Sequence, residues 1–122
     1  MSPDRELDGR RIGELLSSEL TAREDGPLSS LSVVDAVPDA EPSVDGTFAY
    51  GVAHDDERVA SVYLQEDRIR VEFNEPTESV RSAAESTSLR VRPRSNPPGL
   101  LVFVTDGAGV KRLLPAFESA AD

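Results

Sequence analysis

The stretch from Val59 to Phe73 alternates apolar and polar residues about a polar centre, and this pattern constrains the fold more than any other part of the chain. A turn centred on Glu66-Asp67 sets Leu64 opposite Ile69, Val62 opposite Val71 and Ala60 opposite Phe73, so every apolar partner lies on one face. Strand side chains alternate with a period of two, so a slip of one residue would send the whole apolar set to the wrong side; burial therefore selects the register. The preceding segment, Thr47 to His54, continues the alternation with Phe48, Tyr50 and Val52 on one side and Ala49, Gly51 and Ala53 on the other. Matching Phe48 to Leu64, Tyr50 to Val62 and Val52 to Ala60 requires a three-residue loop, Asp55-Asp56-Glu57, in place of the two-residue turn Asp55-Asp56.

Helical spacing is clearest near the start. Ile12, Leu15, Leu16 and Leu20 form one apolar stripe, which predicts a helix over residues 8–24 with Asp8 as its N-cap and Gly26-Pro27 as its stop. Leu31 to Val37 reads as a first strand and Pro38 to Gly46 as a loop. Asn74 to Thr87 reads as a short helix, with Pro76 in its first turn and Val80, Ala83 and Ala84 as a thin stripe. Leu89 to Arg92 alternates as a strand, Ser95 to Gly99 is a turn, and Leu100 to Thr105, apolar on both faces, is a central strand. At the C-terminus Val110, Leu113, Leu114 and Phe117 fit a helix stripe, yet Pro115 inside it would cost about 3 kcal/mol. Asp106-Gly107 between Val104 and Val110 favours a hairpin whose second strand ends at Pro115, followed by a helical turn. The expected fold is α+β: an N-terminal helix packed on a mainly antiparallel sheet of five to seven strands, in a single domain over residues 1–122.

Twenty-three Asp and Glu stand against thirteen basic residues, of which Lys111 is the lone lysine, for a net charge of −10. Self-repulsion of that size weakens the compact state in dilute buffer and is screened in concentrated salt, where the Debye length falls to about 3 Å at 1 M. This acid-rich, arginine-preferring composition resembles that of small uncharacterised cytoplasmic proteins of haloarchaea. The resemblance spans the chain, implies a habitat, and transfers no functional residue. Leu100 to Val104, the longest apolar run, is far short of the roughly 20 residues of a membrane-spanning helix. Residues 1–6 lack the basic start and apolar stretch of a secretory signal, so a cytoplasmic location is expected. The absence of cysteine removes disulfides, thiol nucleophiles, thiolate zinc sites and iron–sulfur clusters together.

Few residues offer chemistry. His54, Asp55, Asp56 and Glu57 place one imidazole and three carboxylates in succession, a donor set for a hard cation such as Mg²⁺ or Ca²⁺. Four consecutive residues do not all converge on one ion, and a polar hairpin tip accounts for them equally. Asp106-Gly107-Ala108-Gly109 matches neither the dinucleotide nor the P-loop fingerprint, and no nucleophile elbow occurs, so no cofactor and no catalytic residue is expected. Arginine placement remains. Arg68 and Arg70 alternate with Ile69 and Val71, and Arg90, Arg92 and Arg94 alternate with Val91 and Pro93, so five arginines point away from the apolar face. Adjacent strands would merge them into a cationic patch suited to phosphate or nucleic acid. Tyr63, opposite Arg70, is the one aromatic placed to stack a base, so a solvated face paired with Glu66 and Glu72 is the stronger expectation.

Two classes of function fit. One is a non-enzymatic accessory or interaction protein, favoured if the arginine strands are separated; the other is a nucleic-acid or anionic-ligand binding module, favoured if they are adjacent. An enzyme ranks behind both. A homodimer is expected on coverage grounds: five or six strands make a sheet roughly 24–29 Å wide, whereas one helix covers only about 10–12 Å. A barrel, a longer C-terminal helix or a second copy must bury the remainder.

Overall fold

The computed structural model describes residues 8–22 and 26–121. Helix α1 spans Gly9–Thr21. The Asp8 side chain caps it by accepting from the Arg11 N–H at 2.9 Å, which satisfies one of the free donors of the first turn. Ile12, Leu16 and Leu20 are buried as the spacing predicts, while the expected end at residue 24 lies outside the described residues. Gly26 takes a positive φ of 83°, but its ψ of −179° is extended, and it opens a 3-10 turn at Pro27–Ser30.

Strand β1 (Leu31–Val34) stops short of Val37 because Asp35 turns the chain with a φ of 54°. Strands β2 (Thr47–His54), β3 (Glu57–Leu64) and β4 (Ile69–Asn74) follow as a meander. The β3–β4 register is the predicted one, with Ala60 opposite Phe73, Val62 opposite Val71 and Leu64 opposite Ile69. The β2–β3 pairing differs. Tyr50 faces Val62 and Val52 faces Ala60 as expected, but the turn is the two-residue Asp55-Asp56, with positive φ of 53° and 66° at the two residues, and His54 pairs with Glu57. Two irregularities restore the register: Val59 is the extra residue on β3 and Ala49 the extra residue on β2. The second sends Phe48 opposite Tyr63 rather than Leu64, so Phe48 leaves the core face.

Helix α2 (Glu78–Glu85) is shorter than predicted and capped by Thr77, with Pro76 ahead of it. Strand β5 (Arg90–Ser95) and strand β6 (Pro98–Val104) form a hairpin turning at Asn96-Pro97. The sheet order is β1-β2-β3-β4-β6-β5, antiparallel throughout, so β6 is interior as its apolar character suggests. Strands β4 and β5 both run against β6, and α2 supplies the crossover that this requires.

The C-terminal hairpin expectation is overturned. Residues Gly107–Ala120 form helix α3, capped by Asp106 accepting from the Gly109 N–H at 2.7 Å. A second hairpin strand would need a free edge on β6, and β4 and β5 occupy both. Burial of Val110, Leu113, Leu114, Ala116 and Phe117 then outweighs the cost of Pro115, which lies on the exposed side. The Phe117 ring sits 5.0 Å from Phe73, tying α3 to the sheet. The buried residues of α1, α2 and α3 form one cluster with Ala60, Val62, Ile69, Val71, Leu100, Val102 and Val104 on the same face of the sheet. The helix shortage behind the dimer argument is thus met by α3 on this face. No described helix is long and apolar enough to cross a membrane.

Candidate functional site

With the helices on one side, the other face of the sheet carries no helix among the described residues, and the alternation decides what points there. Register places Phe48 of β2 beside Tyr63 of β3, Tyr63 beside Arg70 of β4, Arg70 beside Phe103 of β6, and Phe103 beside Arg90 of β5. These residues form a single cross-strand row of rings and guanidinium groups. Four interstrand steps of about 4.8 Å give it a length of about 19 Å. A second row, parallel to the first, runs Gly51, Ser61, Glu72, Leu101 and Arg92.

Each ring of the first row carries an arginine over its face. Arg58 lies 5.2 Å from the Phe48 centroid, Arg70 4.6 Å from that of Tyr63, and Arg90 5.9 Å from that of Phe103. The ring quadrupole attracts each cation. Phe48 and Tyr63 also meet edge to face at 5.8 Å. Two glycines make room for the long side chains. A Cβ on Gly51 would stand 2.6 Å from Arg58 Nε, and one on Gly99 would stand 2.6 Å from Arg94 Nη2, so both arginines lie flat across a neighbouring strand.

The five predicted arginines all reach this face, but β6 separates the two strands that carry them. Their pairing divides them. Arg70 Nε and Arg94 Nη1 each donate to Glu72 at 2.8 Å, and the Glu72 side chain is only 16% exposed. This charged triad joins β4 to β5 across Gly99 and uses much of those two charges. Arg68 donates to Asp67 at 2.9 Å, and that hydrogen bond holds the Asp67 carboxyl below the usual carboxylate range. Arg58, which the sequence pattern did not single out, pairs with Asp35. Among the described residues no carboxylate lies within ion-pair distance of Arg90 or Arg92. These two face a hollow of about 360 Å³ whose lining also includes Val44, Gln65, Arg68, Phe103 and two acids, Glu66 and Asp67, the second of which is paired with Arg68.

Phe48 and Phe103 are the residues that sequence reasoning missed. Phe103 was legible in the alternation of β6, since it is two residues from Leu101 and out of phase with Val102 and Val104. Phe48 was not, because only the extra residue at Ala49 turns it outward. The acidic tip behaves differently from the arginine face. His54 Nε2 lies 3.7 Å from Asp55, and no group of three or more His, Asp or Glu side chains suited to a metal ion occurs among the described residues. Asp56 and Glu57 complete the hairpin that His54 and Asp55 begin, with His54 paired to Glu57 across it. The structure brings them together only as a tight hairpin turn and its first pair.

A second hollow of about 340 Å³ lies between α1 and residues 36–40, walled by Tyr50. The Tyr50 hydroxyl donates to the Gly13 carbonyl at 2.7 Å, and burial pushes its pKa well above the ordinary phenol value. It is a protonated strut between β2 and α1. No curated protein and no solved structure matches the chain. A family model does match, over residues 1–122, and the protein belongs to that family of unknown function, DUF7993.

Proposed function

We propose that the protein is a non-enzymatic interaction module that takes an anionic partner on the helix-free face of its sheet. One observation carries this reading: among the described residues Arg90 and Arg92 have no carboxylate within ion-pair distance, and they stand beside a half-buried ring and a hollow. A purely solvated face would be served by pairing them, as Arg58, Arg68, Arg70 and Arg94 are paired. Separation of β4 from β5 by β6 supports an accessory role over a dense cationic patch. The same arrangement lets Leu101 and Phe103 fill the space between the two arginine strands.

Amide NMR spectra in molar KCl test the reading, with polyglutamate, a short single-stranded oligonucleotide and inorganic phosphate each added in turn. Shifts are expected at residues 58–63, 90–94 and 101–103, with α1, α2 and α3 unchanged. Ligands that move only the helices, or a face that responds to none of the three, would defeat the proposal.

A further inference from the structure

We infer that the partner of this face is single-stranded nucleic acid, its unpaired bases stacking along the row from Phe48 to Arg90 and its phosphates meeting Arg90 and Arg92. The inference rests on the interaction-module reading of the face and names its ligand. The sequence offers one aromatic for stacking, Tyr63, and that scarcity counts against a nucleic-acid role. The folded sheet adds Phe48 and Phe103 to Tyr63 in one row, and this row, not adjacency of the arginine strands, which β6 separates, carries the inference. Sheet platforms that present such aromatics stack two or three bases, and a row of about 19 Å has room for that number. Guanidinium groups held over the rings extend the stacking surface, since bases stack on arginine planes as well as on aromatic rings. Arg90 and Arg92 have their donor forks available for phosphate oxygens, which they match bidentately.

Competing anions fit less well. An acidic peptide that binds a sheet by strand addition needs an open edge. At one edge β5 carries Pro93, which has no N–H to offer; at the other, β1 has only four residues and ends at the Asp35 turn. A duplex keeps its bases stacked on one another and has none free to stack on side chains of the row. The net charge of −10 opposes any polyanion at long range, but molar salt confines that repulsion to about 3 Å, while stacking persists.

Fluorescence anisotropy of a labelled single strand of about ten nucleotides, with the full chain at several KCl concentrations, tests this inference. Phe103→Leu keeps apolar volume and removes the ring, and weakens binding roughly 5- to 140-fold if one base stacks there. Arg90→Gln with Arg92→Gln flattens the dependence of log affinity on log salt by about 0.7 for each phosphate that is no longer neutralised. Arg112→Gln, on α3, leaves binding unchanged. If Phe103→Leu does not give a folded amide spectrum, Tyr63→Leu is read in its place. Absence of single-strand binding, equal binding of a duplex, or ring variants that bind like the parent overturn the inference. Polyglutamate or inorganic phosphate shifting the same face while the single strand does not bind would overturn the nucleic-acid assignment and leave the interaction module standing; silence with all three probes would overturn the two together.

Discussion

Gly9 and Gly107 hold the same local position, the first residue of a helix after an Asp N-cap, and replacing each with Ala should move stability in opposite directions. Local propensity favours Ala over Gly by up to about 1 kcal/mol in both. The surroundings differ. A Cβ on Gly9 would stand 2.0 Å from the Gln65 carbonyl oxygen, 2.6 Å from that of Arg68 and 2.9 Å from the Gln65 nitrogen. All three are backbone atoms of the β3–β4 turn, which is closed by Gln65 N–H donating to Arg68 O at 2.9 Å, so nothing can rotate aside. The start of α1 must instead lift from the sheet, disturbing Ile12 and Leu16, which are fully buried. Overpacking of this kind costs about 1–3 kcal/mol, which exceeds the propensity gain and leaves Gly9→Ala about 1–2 kcal/mol less stable. A Cβ on Gly107 would meet only Leu15 Cδ1, at 3.5 Å, an ordinary contact, so Gly107→Ala should gain a few tenths of a kcal/mol. Urea unfolding at fixed KCl concentration measures both, since a slope of about 1–3 kcal/mol per molar turns the Gly9 loss into a midpoint lowered by roughly 0.3–2 M. A Gly9→Ala protein as stable as its parent, or more so, would refute the close-approach argument.

Leu16→Ala removes a fully buried side chain from the centre of the α1 stripe and should cost about 2–5 kcal/mol, read from the same urea midpoints. Pro115→Ala should stabilise the protein by about 1–3 kcal/mol, because it returns an N–H to the middle of α3 at an exposed position; calorimetry showing an unchanged or lower Tm would contradict this. The melting temperature should rise between about 0.1 and 3 M KCl as the self-repulsion of a −10 chain is screened, and a flat profile would show that the acids are already neutralised by their placement.

The candidate face was half legible. Arg68, Arg70, Arg90, Arg92 and Arg94 could be assigned to one side because each alternates with residues of the apolar side, and the fold keeps that parity. What they do there was not legible. Whether Arg70 and Arg94 share Glu72, and whether Arg92 is left unpaired, depends on β6 lying between β4 and β5 and on Gly99 letting Arg94 cross it. The loop at the acidic tip differs from expectation for a related reason: its length depended on an irregularity at Val59 that lets two residues close a turn expected to need three.

Elements whose pattern has only one way to bury its apolar residues could be read from the chain without its fold. Helix α1, the β3–β4 register and the interior character of β6 follow from periods of 3.6 and two acting against water, and each is decided within about 15 residues. The rest depended on distant segments. Residues 107–120 carry both a helix stripe and a hairpin signal, and they became helix because β6 had no free edge to offer a further strand. Phe48 turned outward because an extra residue at Ala49 was absorbed by pairing with β3. Gly9 and Gly107 share a local sequence but not their neighbours, and a backbone turn remote in the chain makes one irreplaceable. Local pattern reports the face a residue prefers, whereas edge occupancy, irregular pairing and backbone approach are set by segments far apart in sequence, and only folding brings those into contact.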